Sequence, residues 1–404
     1  MISKNARYWI WITLALGYNT DKINKLYELY TDIAEFCLGG EKEWRFCGVL
    51  SNGDINKLKS IKKSEADKIM KRCEELGYSI VCIDDSVYPE CLRNIYASPA
   101  VLYVSGNLPD IDNTLSIGIV GTRRASNYGT HNAYKFGYAL SKCGVITVSG
   151  GALGVDCASH RGSLAAKGKT VCVLGCGINY NYLPQNKDMR DAITNDGALI
   201  SEYPPDTPPI GYQFPARNRI IAALSNGILI IESGIKSGSL ITANYALEMG
   251  KELFALLGNN SPQNEGSNAR IKEGTAIPVT DFMDILSAFD NIYLTDEYKE
   301  IDELNFADIE EIPVKGMVYK KPSNNNKAEK TAEPESKPEP KHRTDVKLKG
   351  DLKKVYEFLS ADPVHIDVIS NQLFIPVFRV SVALTQLQIM GLVKAEPGRR
   401  FVLK

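Results

Sequence analysis

Four short segments carry residue types that could hold a polyanion. Gly121-Thr122-Arg123-Arg124-Ala125-Ser126 joins a glycine, whose amide can approach an anion closely, to two guanidiniums with planar, bidentate donors. A helix starting after this turn would add its positive N-terminal end; the plainer alternative is a tight turn with a solvated basic pair. Ser149-Gly150-Gly151-Ala152-Leu153-Gly154 is a second glycine-rich turn, suited to a single phosphate. Phe214-Pro215-Ala216-Arg217-Asn218-Arg219 sets an aromatic ring beside Arg217, Asn218 and Arg219. That is the pattern of a clamp in which arginines hold phosphates and the ring stacks a base. In isolation the segment would fit better a core phenylalanine with a structural salt bridge. Glu232-Ser233-Gly234 and Ser237-Gly238-Ser239 surround a fourth turn, whose serines could meet an anion or simply cap a helix.

Enzymatic chemistry is not legible. Neither G-x-G-x-x-G nor G-x-x-x-x-G-K-[ST] occurs at these turns, so a dinucleotide or P-loop nucleotide is unsupported and no cofactor is expected. Asp156 and His160 stand one helical turn apart with no third ligand, which points to a structural hydrogen bond rather than a metal. The nine cysteines lie between Cys37 and Cys176 without a C-x-x-C pair and read as reduced thiols packed as small apolar residues.

These segments need a frame to bring them together. Apolar runs at 79–84, 116–121, 145–150, 170–175, 198–203, 227–232 and 252–258 alternate with helical stretches near 128–143, 154–168, 185–195, 215–225 and 239–249. Runs without polar alternation predict strands buried on both faces. Their repeated alternation with helices predicts an α/β fold, an extended Rossmann-like, doubly wound parallel sheet. The candidate segments then fall at the carboxyl ends of strands, where such sheets bind ligands.

The flanks differ in kind. Residues 1–78 show helical periodicity, with Ile23, Leu26, Tyr27, Leu29, Tyr30 and Ile33 recurring near the helical period. The apolar run 8–16 follows Lys4 and Arg7 as in a short signal peptide, yet no small-x-small site follows and the run is too short to span a bilayer. A buried helix and a cytoplasmic protein are expected, with no membrane partner. Within 291–345, residues 296–311 are acidic and 321–341 are rich in Lys, Glu, Pro and Asn, the composition of a flexible linker. Residues 346–404 read as three helices and a β-wing, a winged helix–turn–helix. The core domain is accordingly 79–290. With 47 Lys+Arg against 48 Asp+Glu the net charge is −1, so any polyanion must be held by a local patch.

Taken in order, GTRRAS, SGGALGVDCASH, GKTVCVLGCGINYNYLPQN, LISEYP, FPARNRIIAALS and ESGIKSGSLITANYALEMG resemble the DNA-processing protein A family (DprA, also called Smf) across residues 80–280. The helical start and the winged-helix tail sit where many members carry a SAM-like or helix-hairpin-helix unit and a winged helix. The resemblance implies a non-enzymatic homodimer that binds single-stranded DNA, protects it and helps load the recombinase RecA during natural transformation. It assigns nucleic-acid binding to Arg123, to Gly150, Gly151 and Gly154, and to Phe214, Arg217, Asn218 and Arg219; Gly121, Arg124 and Ser126 complete the first turn. Gly211 stands where some members place a lysine, and Lys169 and Arg124 are the candidates to compensate. Leu183-Pro184 replaces the usual Tyr-Pro, and Leu257-Gly258 the usual Pro-Gly.

Two other classes compete. A nucleoside-phosphate hydrolase of the lysine-decarboxylase-like Rossmann type would use Glu232 and Glu248, although ESGIKSGSLITANYALE lacks that class's double glycine and threonine. A transcription factor would rest on the winged helix and prefer a specific duplex.

Overall fold

The computed structural model describes residues 2–289, Phe306, Ile309 and 351–403 other than 361, 362, 374, 376, 391 and 397–399. The linker 321–341, Arg399 and the acidic segment 296–311, apart from Phe306 and Ile309, lie outside the described residues. The chain divides into two compact units, Met1–Pro322 and Ser323–Lys404.

The first unit opens with five helices: α1 (Ala6–Leu16), α2 (Lys22–Leu29), α3 (Ile33–Phe46), α4 (Asn52–Ser60) and α5 (Lys63–Leu76). The apolar run of α1 is buried as expected: Trp9, Ile10, Trp11 and Ile12 are each at most 2% exposed. Trp11 packs on Trp44 and donates its indole N–H to the Ile61 carbonyl at 2.8 Å. This helical region shares one continuous hydrophobic core with the adjoining strands of the sheet.

The sheet is built from β1 (Ser79–Cys82), β2 (Val101–Gly106), β3 (Ser116–Val120), β4 (Ile146–Ser149), β5 (Thr170–Leu174), β6 (Ala198–Ser201), β7 (Gly227–Ile230), β8 (Glu252–Leu256) and β9 (Ile277–Val279). A short α6 (Glu90–Arg93) lies between β1 and β2, and α7 (Asn127–Lys142), α8 (Val155–Ala165), α9 (Lys187–Asp196), α10 (Gln213–Ala223), α11 (Ser239–Glu248), α12 (Glu265–Lys272) and α13 (Phe282–Leu286) follow. All seven expected runs form strands. Strand order is β1-β2-β6-β5-β4-β3-β7-β8-β9. From β6 to β9 the neighbours are parallel, whereas β1–β2 and β2–β6 are antiparallel, so the expected all-parallel sheet is mixed at one edge. The connection between β1 and β2 holds only the short α6, and β2 runs antiparallel to both of its neighbours.

The order has one functional consequence. The connection after β3 runs through α7 to β4 on one side, while that after β7 runs through α11 to β8 on the other. Adjacent β3 and β7 therefore flank the topological switch point, where doubly wound sheets open a crevice. Phe306 and Ile309 belong to the core on this half of the sheet, Phe306 lying 4.8 Å from Phe136 between ring centres.

The second unit contains α14 (Asp351–Phe358), β10 (Val364–His365), α15 (Ile366–Leu373), α16 (Val377–Ile389), β11 (Val393–Glu396) and β12 (Arg400–Leu403). The strands pair antiparallel in the order β10-β12-β11. Val355, Ile369, Val380, Leu384 and Leu387 form a core of its own. Three helices and a small sheet make the expected winged helix.

Candidate nucleic-acid interface

The loops after β3, β4 and β7 are stitched together at the switch point. The Thr122 amide donates to the Glu232 carbonyl at 2.8 Å, and the Val155 amide to the Thr122 carbonyl at 3.3 Å. Gly154 has φ +80°, and a Cβ there would lie 2.4 Å from the Thr122 carbonyl oxygen, so no side chain fits. Gly121 borders the same seam, whereas Gly151, φ +64°, faces β5, where a Cβ would lie 2.5 Å from Cys172 Sγ.

The crevice itself is filled from within. Glu232, 1% exposed, accepts the Ser126 amide at 2.9 Å and the Ser126 hydroxyl. Ser126 in turn caps α7, its hydroxyl oxygen accepting the Gly129 amide at 3.1 Å. The positive end of α7, where a ligand phosphate would otherwise sit, thus holds the chain's own carboxylate. Ser126 was expected on the nucleic acid; the structure spends its hydroxyl on this cap instead. Glu248 ends α11, whose 10 residues put it about 15 Å from the edge where Glu232 lies. The two carboxylates of the hydrolase reading do not form a pair.

The Phe214–Arg219 segment splits into an exposed part and a buried part, because α10 turns Arg217 and Arg219 inward. Arg217 is 4% exposed and donates through Nη1 to the carbonyls of Gly150, at 2.9 Å, and Val173. A Cβ at Gly150 would lie 2.6 Å from Arg217 Nη2 and 2.8 Å from Asp156 Oδ2, so that glycine makes room for the buried charges. Burial lowers the pKa of Arg217, opposed by the neighbouring Asp156 carboxylate. Arg219, 2% exposed, forms a two-pronged pair with the equally buried Glu202, at 2.9 and 2.7 Å, and donates to the Ala97 carbonyl. The expectation that these two guanidiniums face a DNA strand is corrected: the first braces the second glycine turn and the second ties α10 to the end of β6. Asn218 is half-buried, accepting from Arg217 Nε at 3.2 Å and donating to the Gly238 carbonyl at 3.3 Å.

What remains open to solvent on this edge is cationic and aromatic. Arg123 and Arg124 are exposed. Arg123 lies over the Phe214 ring, Cζ 5.4 Å from its centre, a cation–π geometry. Phe214 is half-buried, resting where a Cβ at Gly175 would come within 2.8 Å of its ring. Sequence reasoning missed two residues that follow strand carboxyl ends. Tyr182, on the loop after β5, stands 5.3 Å from Phe214 between ring centres. Lys236, on the loop after β7, is exposed. Both follow strand carboxyl ends, so the rule that picked out Arg123 could have found them.

Lys169 is not among them. It immediately precedes β5, and its carbonyl accepts the Thr147 amide, which places it on the amino edge of the parallel strands. It is therefore corrected as a candidate for the missing lysine, whereas Arg124 stays on the carboxyl edge. Asp156 and His160 do not bond each other. Asp156 accepts the amides of Gly150 and Ala152 at 3.2 and 3.4 Å, and burial raises its pKa against the pull of Arg217. His160 Nδ1 bonds Thr170 Oγ1 at 2.8 Å; burial, then Arg217, pushes its pKa down to about 3. No group of three His, Cys, Asp or Glu side chains that could hold a metal occurs among the described residues.

Comparison with known proteins meets this geometry. The family model for DNA recombination-mediator protein A matches residues 79–290, and that for the DprA winged helix domain matches 337–399. Protein Smf from Synechocystis is 34% identical over 332 residues, covering 79% of this chain and 78% of that one. The DNA processing protein DprA of Bacillus subtilis is 38% identical over 192 residues, 48% of this chain and 65% of that one. The crystal structure of DNA processing protein A from Streptococcus pneumoniae superimposes with a TM-score of 0.61 at 31% identity, covering 71% of this chain and 98% of that one. With the matched residues spanning the sheet, its carboxyl-edge loops and the winged helix, the chain belongs to the DNA recombination-mediator protein A (DprA/Smf) family.

Proposed function

We propose that this chain is a non-enzymatic mediator that binds single-stranded DNA across the carboxyl edge of its sheet, protects it and helps load RecA. In this reading it works in the cytoplasm as a homodimer and serves natural transformation. One observation carries the DNA assignment: Arg123 lies over the partly open ring of Phe214 on the edge where Glu232 already occupies the start of α7. A strand laid over that edge meets permanent charge for its phosphates, from Arg123 and Arg124, and a ring for a base, without sequence readout. Arg217, Asn218, Gly150, Gly151 and Gly154 act beneath it, holding the turns in shape. RecA loading, dimerisation and transformation are supported by family membership.

The test is equilibrium binding of an oligo-dT and of a blunt duplex across a salt series. The single strand is expected to bind more tightly, with a log–log slope of about −0.7 per phosphate contacted. Equal affinity for duplex, or no salt dependence, overturns the assignment. Incubation with nucleoside monophosphates, followed by assay for released base, checks the hydrolase alternative, and none is expected.

A further inference from the structure

We propose that Tyr182 is a base-stacking residue of this interface, its ring continuing the platform that Phe214 begins. The proposal rests on the single-strand reading above and adds a residue that neither the motifs nor the comparisons assign.

The two rings stand 5.3 Å apart between centres at an interplanar angle of 38°, within the range of an attractive aromatic pair. Both are half-buried, so each keeps surface open to solvent. A tyrosine that serves the core usually finds a partner for its hydroxyl, as Tyr88 does by donating to the Pro99 carbonyl at 2.8 Å. The Tyr182 hydroxyl has no partner among the described residues.

The backbone that presents the ring is built with care. Leu183 adopts φ 49°, ψ 69°, a left-handed conformation that costs free energy in a residue with a Cβ. Such a turn persists only where its surroundings determine it. Here the Leu183 carbonyl accepts the Asn186 amide at 2.9 Å and Nη1 of the buried Arg190 at 3.2 Å. Asn186, also buried, donates to the Gly151 carbonyl at 3.3 Å. The aromatic loop is thus pinned to the second glycine turn, and the ring of Tyr182 is held against Phe214 by anchors that are themselves buried. A connection that merely joined β5 to α9 would need neither the strained residue nor the ring.

The experiment compares full-length wild type with Tyr182→Leu and Tyr182→Phe on two probes of equal length, an oligo-dT and an oligonucleotide of abasic residues. Leucine keeps bulk against Phe214 and removes the ring. Tyr182→Leu is expected to bind oligo-dT about tenfold more weakly and the abasic probe as wild type does, since one stacked base carries a loss of that order. Tyr182→Phe is expected to match wild type on both. An unchanged Tyr182→Leu on oligo-dT overturns the proposal. So does an equal loss on both probes, which would make Tyr182 a loop-positioning residue. Phe214→Leu separates the two levels: if it discriminates the probes while Tyr182→Leu does not, the extended platform fails and the single-strand site stands. If wild type itself does not discriminate them, the base-stacking reading of the edge fails.

Discussion

Arg123 Cζ sits 5.4 Å from the centre of the Phe214 ring, the guanidinium from the loop after β3 and the ring from the start of α10. The contact orders both groups in advance and leaves the exposed arginine able to meet a phosphate. Arg123→Ala is therefore expected to weaken single-strand binding on the order of tenfold and to make the salt slope shallower by about 0.7. Its melting temperature should stay near wild type, because exposed substitutions usually change stability by less than about 0.5 kcal/mol. Fluorescence anisotropy across a salt series, with a thermal melt on the same sample, checks both. A large drop in melting temperature would make Arg123 structural.

Arg219 should behave in the opposite manner. Its pair with Glu202 is 2% exposed on each side, so removing one partner strands a charge in the core. Arg219→Ala is expected to cost about 3–5 kcal/mol of stability. Replacing both partners, by Arg219→Met with Glu202→Leu, should recover most of that loss. Urea denaturation of the three proteins measures it. A single variant that folds as well as wild type but fails to bind DNA would return Arg219 to the interface.

His160 makes stability depend on pH. Its folded value of about 3 lies below its ordinary 6.5, so the unfolded chain binds more protons in between. The contribution is complete above pH 6.5 and is lost as pH falls toward 3. Between pH 6 and pH 5 wild type should lose on the order of 1 kcal/mol more than His160→Gln. Asp156, whose raised carboxyl works the other way, is common to both proteins, so the difference isolates the imidazole. Urea midpoints at the two pH values test this, and parallel shifts would refute it.

The sheet was legible because burial on both faces leaves unbroken apolar runs, and a β–α–β alternation has few other solutions. Two strands escaped. β9 carries Pro278, which reads as a breaker, and β2 follows Pro99 in a segment with no helix pattern to announce it. The site was half legible. Residue type marked Arg123 and Phe214, but type alone could not distinguish an arginine facing solvent from Arg217 and Arg219, whose inward direction depends on the phase of α10. Glu232 looked like a free carboxylate because its partners, Ser126 and the first turn of α7, are remote in sequence and meet it only when β3 pairs with β7. Lys169 failed for a similar reason: it precedes its strand, and the amino edge is the wrong edge.

The last prediction concerns the tail. Arg123, Phe214, Tyr182 and Lys236 all belong to Met1–Pro322, so that fragment should keep single-strand affinity within a few-fold of the full chain. The winged helix has a self-contained core around Val355, Ile369, Val380, Leu384 and Leu387, so a fragment 346–404 should melt cooperatively by itself. Its DNA-binding capacity is a separate matter. Arg379 is the only basic residue of α16, while Val382 on that helix and Val368 on α15 are 55% and 47% exposed. A helix that reads a groove is normally flanked by phosphate-binding cations. Here Lys394 in β11 and Arg400 in β12 are what the described wing supplies. The isolated tail is expected to bind duplex and single strand only weakly at low salt. It would then add avidity through the effective concentration of a tethered second site, seen as a modest advantage of the full chain on long oligonucleotides over short ones. Titration of both fragments with both DNA forms at low salt separates the outcomes. No binding by the tail, with full binding by Met1–Pro322, leaves the exposed valines as a docking face for protein. Tight duplex binding by the tail would favour a transcriptional role. Loss of all binding by Met1–Pro322 would remove the site from the sheet edge altogether.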